Sequence, residues 1–242
     1  MSKKLEVVSS PSLIGLYDLE GKNVVVVDIL RATTTICEAL NNGAEAVIPV
    51  LSVEMALEYK DSGYLLAAER GGEKVQGFPM GNSPKEYTKE VVEGKSVVLT
   101  TTNGTKCIHM SSKAKRIFIG SFLNLTALAE ELMKLPEDLI IFCAGWRDNF
   151  NLEDFLFAGA LANKLMGEFD HECDSTLAAM DLYDLVKGDL TNYIKTASHA
   201  KRFERLGIKS EVEVCTVIDK VDVVPQYVGG KLITGENLSG QS

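Results

Sequence analysis

Residues 24–40 read VVVVDILRATTTICEAL. Four consecutive valines mark a strand buried on both faces, as in the parallel sheet of an α/β protein. The strand ends in Asp28, and a buried carboxylate is costly unless something compensates its charge. Arg31 and three threonines, Thr33, Thr34 and Thr35, follow before the chain turns helical. An apolar strand, a polar turn and a helix set the fold class, and the polar turn is where chemistry is expected.

The same alternation extends to either side. Strands are predicted at 4–8, 23–29, 45–50, 63–68, 96–101, 116–120 and 138–143, and helices near 34–42, 52–61, 84–92, 104–112 and 124–134. That order implies an α/β fold, a mostly parallel sheet with flanking helices. The last third reads as helices at 152–167, 174–187 and 189–207, then a strand-like EVEVCTV and a hairpin VVPQYVGGKLI turning at Gly229-Gly230. No low-complexity linker divides the chain, so residues 1–242 are expected to form a single domain. A shift of 72 positions lays VVVDILRATTTICEALNNGAEAVIPV on VVLTTTNGTKCIHMSSKAKRIFIGSF, so two similar βαβ subdomains are one reading. The general likeness of all βαβ units is the other.

The formal charge of −9 argues against nucleic acid or an anionic membrane as the main partner. No apolar run approaches the roughly 18 residues of a membrane span, and the N-terminus has no signal-like apolar core, so a cytoplasmic protein is expected. A homo-oligomer is compatible with this sequence. The five cysteines are scattered without a C-x-x-C pair, and the three histidines do not join them in a ligand set. They read as reduced, mostly buried thiols.

In a parallel sheet, ligands settle beyond the carboxyl ends of the strands, against helix N-termini. Four stretches would meet there: DILRATTT, AERGGEKVQGFPMGNSP at 68–84, TTTNGT at 100–105 and CAGWRDNFNLED at 143–154. Arg31 and Arg70 are forked donors suited to phosphate or sulfonate oxygens. Thr33, Thr34, Asn82, Ser83, Thr101, Thr102, Asn103 and Thr105 add neutral donors, and Gly104 allows close backbone approach. Asp28, Glu69, Glu153 and Asp154 are hard oxygen ligands, and carboxylates beside phosphate donors make a Mg2+ site. Asp28 is read as metal ligand or as covalent nucleophile, and both roles stay open. Each feature also has a plainer reading: Thr33 as a helix cap, Asp28 with Arg31 as an ion pair, Glu153 and Asp154 as acids favoured by a helix dipole.

Common phosphate signatures are excluded. Gly94-Lys95-Ser96 looks like the tail of a P-loop, but Lys89 stands where its first glycine belongs. A cysteine phosphatase built on Cys143 would need an arginine where Asn149 stands, and a haloacid-dehalogenase-type phosphatase a second aspartate at Leu30.

At these residues the chain resembles the 2-phosphosulfolactate phosphatase family. DILRATTT, ERGG followed by GNSP, TTNGT, the CAG…LED segment, Ser198-His199 and Val224-Pro225 occur in the family's order over nearly the whole chain. Departures from the family pattern are Ala68, Pro79, Asp148, Asn149 and Asn151. The resemblance implies an α/β fold peculiar to the family. It also implies a Mg2+-dependent phosphatase that converts (2R)-2-phospho-3-sulfolactate into 3-sulfolactate and phosphate, on a route to coenzyme M. The substrate would be a small anionic phosphate and sulfonate. Alternatives are a phosphatase of the same fold acting on another small 2-phospho acid, and a non-catalytic binder of anionic metabolites.

Overall fold

The computed structural model describes residues 2–171 and 173–235. Its strands are β1 (Lys3–Val8), β2 (Asn23–Val27), β3 (Ala46–Pro49), β4 (Leu65–Arg70), β5 (Glu73–Lys74), β6 (Ser96–Thr100), β7 (Arg116–Gly120), β8 (Leu139–Cys143), β9 (Phe169–Asp170), β10 (Gln226–Val228) and β11 (Lys231–Ile233). The helices are α1 (Ala32–Asn41), α2 (Val53–Leu57), α3 (Lys89–Val92), α4 (Gly104–Met110), α5 (Leu125–Met133), α6 (Leu152–Lys164), α7 (Asp174–Val186), α8 (Leu190–Lys195), α9 (Ser198–Arg205) and α10 (Glu211–Cys215). The α/β class read from the sequence holds.

The valine run shows why. Val25 and Val27 face one core, and Val24 and Val26 face the other, on the opposite side of the sheet. All four are fully buried, each worth roughly 1.5–3 kcal/mol by the area removed from water. β8 alternates likewise, with Ile141 and Cys143 in the first core and Ile140 and Phe142 in the second. Helices α5, α6 and α7 cover the first core, and α1 and α4 the second. At Gly159 of α6 a Cβ would overlap the Ala179 carbonyl of α7, so this close helix crossing requires glycine.

The eleven strands form one sheet in the order β5-β4-β6-β3-β11-β10-β7-β2-β8-β1-β9. Two parallel blocks, β4-β6-β3 and β7-β2-β8-β1, are joined by the antiparallel β10–β11 hairpin. Both turn glycines of the hairpin, Gly229 and Gly230, have positive φ, as a tight two-residue turn requires. The order is symmetric about the hairpin: β3 answers β7, β6 answers β2 and β4 answers β8. The 72-residue offset has a counterpart here, because β2–α1–β3 and β6–α4–β7 each cross from one block to the other.

Three expectations are corrected. EVEVCTV alternates like a strand but forms α10, because Val212 and Cys215 reach the core from one helical face while Glu211 meets Arg31. The helix expected over 189–207 breaks at Ala197, whose ψ of 153° is extended, giving α8 and α9. The helix expected over 84–92 is a 3-10 turn at Pro84–Glu86 followed by the short α3. Among the described residues no helix is long and apolar enough to cross a membrane.

Candidate active site

Asp28 follows β2 and is 5% exposed. Its Oδ1 accepts from the Ala32 amide at 3.3 Å, and among the described residues no hydrogen bond reaches Oδ2. The threonines explain themselves around it. The Thr33 hydroxyl accepts from the Asp28 amide at 3.1 Å and donates to the Asp28 carbonyl at 2.9 Å. Thr34 donates to the Ile29 carbonyl at 3.0 Å, and Thr35 to the Asn82 carbonyl at 2.9 Å. Thr33 and Thr34, expected to bind substrate, are fully buried and lace the loop that presents Asp28. Thr33 is not the helix cap: Arg31 holds the N-cap position of α1, and Thr33 lies within its first turn.

The loop after β6 repeats this device. The Thr105 hydroxyl accepts from the Thr101 amide at 3.2 Å and donates to the Thr101 carbonyl at 3.1 Å, while the Thr105 amide donates to the Thr101 hydroxyl. Thr102 donates to Glu69 twice over, from its amide to Oε2 at 3.1 Å and from its hydroxyl to Oε1 at 3.0 Å. The Gly72 amide also donates to Glu69 Oε1. Asn103 Oδ1 accepts from the Arg147 amide at 3.2 Å. Gly104 opens α4 directly against Asp28 and Ala32.

Arg31 is 5% exposed and donates to the Gly72 carbonyl at 2.8 Å. Its ion-pair partner is Glu211 at 3.4 Å rather than Asp28, and Phe203 lies under the guanidinium at 4.9 Å. Glu211 also accepts from the Ser83 hydroxyl at 2.9 Å, so Ser83 serves to hold that carboxylate. Arg70 goes elsewhere. Successive strand residues point to opposite faces, and beside Glu69 it turns its guanidinium to the Thr100 hydroxyl at 2.8 Å and the Glu69 carbonyl at 2.6 Å. Arg202 comes near instead, donating to the Gly71 carbonyl with its guanidinium 3.8 Å over Trp146.

Glu153 and Asp154 open α6, capped by the Asn151 side chain, which accepts from the Asp154 amide at 3.2 Å. Asp154 accepts from the Ile29 amide at 2.8 Å and the Gly145 amide at 3.0 Å, tying the loop after β2 to the loop after β8. Burial, with Asp28 and Glu153 nearby, pushes its carboxyl well above the usual range. Glu153 Oε1 lies 2.7 Å from His199 Nδ1, and its Oε2 is buried without a hydrogen-bond partner.

Asp28, Arg31, Glu69, Asn82, Asn103 and His199 meet around a small cavity of about 10 Å³, lined also by Trp146 and Phe203. That is room for one water or one small ion. A larger cavity of about 350 Å³ shares the wall formed by Arg31, Gly72 and Asn82. Burial, reinforced by Glu69 and opposed by His199, pushes the Asp28 carboxyl up to about 6. Asn82 Oδ1 is buried here with no hydrogen-bond partner. Among the described residues no three His, Cys, Asp or Glu side chains are grouped to hold a metal. Mg2+, however, takes one or two carboxylates and completes its shell with neutral oxygens, water and substrate. Asp28 and Glu69 with Asn82 Oδ1 fit that requirement.

Sequence reasoning gave no role to His199, Trp146, Arg202, Phe203 or Glu211. The resemblance did carry Ser198-His199, which was the available signal for the histidine.

A family model described as 2-phosphosulpholactate phosphatase matches residues 8–230. A probable 2-phosphosulfolactate phosphatase of Thermotoga maritima is 44% identical over 218 residues, covering 90% of this chain and 94% of the relative. One from Caldanaerobacter subterraneus subsp. tengcongensis is 40% identical over 225 residues, covering 91% and 93%. One from Clostridium acetobutylicum is 40% identical over 237 residues, covering 95% and 100%. With the match spanning the strands and loops that build this cavity, the chain belongs to the 2-phosphosulpholactate phosphatase family.

Proposed function

We propose that this chain is a Mg2+-dependent phosphoric monoester hydrolase of the cytoplasm that converts (2R)-2-phospho-3-sulfolactate into 3-sulfolactate and phosphate, supplying a route to coenzyme M. The observation that carries this reading is the unengaged Asp28 carboxylate oxygen, set with Glu69 and Asn82 around an ion-sized cavity whose wall includes Arg31. Family membership supports the ester class.

In this reading Asp28, Glu69 and Asn82 Oδ1 hold the metal. Bound there, Mg2+ would neutralise phosphate charge and polarise an oxygen of the phosphoryl group. Arg31, fixed by Glu211 and the Gly72 carbonyl, offers its remaining N–H groups to the phosphoryl oxygens. Asn103 adds a neutral donor on the wall. Glu69 is kept as an oriented carboxylate by Thr102 and Gly72, and Asp154 keeps the Asp28 and Gly145 loops in register. Trp146 and Phe203 add aromatic lining to the cavity, and a less polar surrounding strengthens each of these electrostatic interactions.

The test is phosphate release from phosphosulfolactate, phospholactate and phosphoglycolate, each with Mg2+ and with EDTA. Turnover of phosphosulfolactate in preference to the other two, lost on chelation and restored by Mg2+, is expected. Equal turnover of all three would remove the sulfonate from the substrate assignment. Turnover indifferent to EDTA would remove the metal.

A further inference from the structure

The Glu153–His199 pair has no task in that account. Glu153 is fully buried, and among the described residues its carboxylate hydrogen-bonds the imidazole alone. A buried carboxylate carries a high desolvation cost, and here it supports a single ring nitrogen. The ring lies between Trp146, at 5.1 Å, and Phe203, at 4.9 Å, so its plane is fixed as well. A carboxylate on Nδ1 sets both the orientation and the tautomer of a histidine. His199 lines the cavity, and with Nδ1 engaged by Glu153 its other ring nitrogen, Nε2, has no hydrogen bond among the described residues.

The other cavity residues are poor proton donors. Arg31 keeps its protons in proteins, and the amides of Asn82 and Asn103 do not titrate. The Glu69 oxygens act as acceptors, from Gly72 and Thr102 and toward the cation, rather than as donors. Asp28 presents its free oxygen for the cation. An alkyl phosphate leaves as a strongly basic alkoxide, so a proton delivered to its ester oxygen is where such a donor contributes most.

We propose that His199 is a catalytic residue, the proton donor to the leaving oxygen of the ester, and that Glu153 is its positioning residue. The proposal rests on the phosphatase reading. As water attacks phosphorus, the bond from phosphorus to the ester oxygen breaks and its electron pair stays on that oxygen. The ring acts in its doubly protonated form, with Nδ1–H held by Glu153, and its Nε2 proton moves to the oxygen as the alcohol is released. The attacking water leaves one proton in the P–OH of the product, and its other proton returns to the imidazole. One water is consumed for each alcohol and phosphate formed.

The experiment compares esters by leaving group. Phosphosulfolactate and phospholactate need the proton, whereas 4-nitrophenyl phosphate and acetyl phosphate leave readily without it. His199→Ala should lower kcat on the alkyl esters on the order of 10²–10⁴-fold and leave the activated esters near the wild-type rate. Glu153→Gln should show the same selectivity to a smaller degree, with Mg2+ affinity unchanged. Folding is checked by thermal melting, and Glu153→Gln carries the comparison if His199→Ala does not fold. Equal losses on all esters in a folded variant overturn the proposal while the phosphatase reading stands. Wild-type protein that releases phosphate from none of them overturns both.

Discussion

Gly104 lies so close to Asp28 that a Cβ placed on it would stand 2.9 Å from Oδ2, and 2.5 Å from the Cβ of Ala32. The second contact is with a rigid atom at the first turn of α1, which has no way to swing aside. Glycine here lets the two crossing βα units bring their helix starts together over one carboxylate. Gly104→Ala should cost about 1–3 kcal/mol, the usual range for overpacking, read as a lower urea midpoint with unchanged slope. Activity should fall as well, because the atoms displaced are those that present Asp28. A variant as stable as wild type would show that the two units have slack.

Arg31 and Glu211 form an ion pair at 3.4 Å with both side chains almost wholly buried, 5% and 7% exposed. Removing one partner of such a pair leaves a buried charge without compensation, at about 3–5 kcal/mol. Glu211→Ala should therefore be strongly destabilised at neutral pH, and it also frees the Ser83 hydroxyl. Glu211→Ala combined with Arg31→Met should recover part of the loss in stability while remaining inactive. A double variant no more stable than Glu211→Ala would mean that the pair is not what holds α10 in place.

The sheet was legible because its strands are buried on both faces, and apolar runs such as VVVV or LIIFC leave no other reading. The polar turns after β2, β4, β6 and β8 were legible as a group for the same reason. Individual side-chain roles were not. Arg70 stands next to Glu69 in the chain, but strand geometry sends the two to opposite faces. Thr33 and Thr34 look like anion donors until the backbone they lace is seen. Glu211 was hidden because its partner is 180 residues away and its own segment alternates like a strand. The internal offset of 72 residues was visible, whereas the exchange of β3 and β7 between blocks depends on the late β10–β11 hairpin.

Asn82 gives a clean separation of structure from metal binding. Its Oδ1 is buried without a partner, an arrangement that costs stability unless an ion or water meets it. Asn82→Leu should leave the metal-free protein as stable as wild type or more so, since an unpaired polar atom is removed. The same variant should bind Mg2+ at least about 10-fold more weakly, the scale on which supporting groups at metal sites act. Calorimetric titration with Mg2+ and melts in EDTA read the two effects independently. Unchanged Mg2+ affinity would take Asn82 out of the ligand set.

Asp28 makes a prediction in pH. Its carboxyl rises from 3.8 to about 6 in the folded chain, chiefly through burial. A carboxyl raised on folding holds its proton more tightly in the folded state, so stability falls as pH climbs between the two values. The cost is absent below the lower value and complete above the upper one, at about 3 kcal/mol for this rise. Asp28→Asn keeps the shape and removes the charge. In EDTA it should therefore be more stable than wild type at pH 8, by an amount that shrinks at pH 5. Saturating Mg2+ should narrow the gap at pH 8 from the wild-type side, because the Asp28 carboxylate gains more from the cation than an amide in its place. Paired urea titrations at the two pH values, with and without Mg2+, measure all four terms. A stability gap that widens toward acid pH, or that Mg2+ leaves untouched, would mean that burial is not the force on Asp28 or that the cation does not answer it.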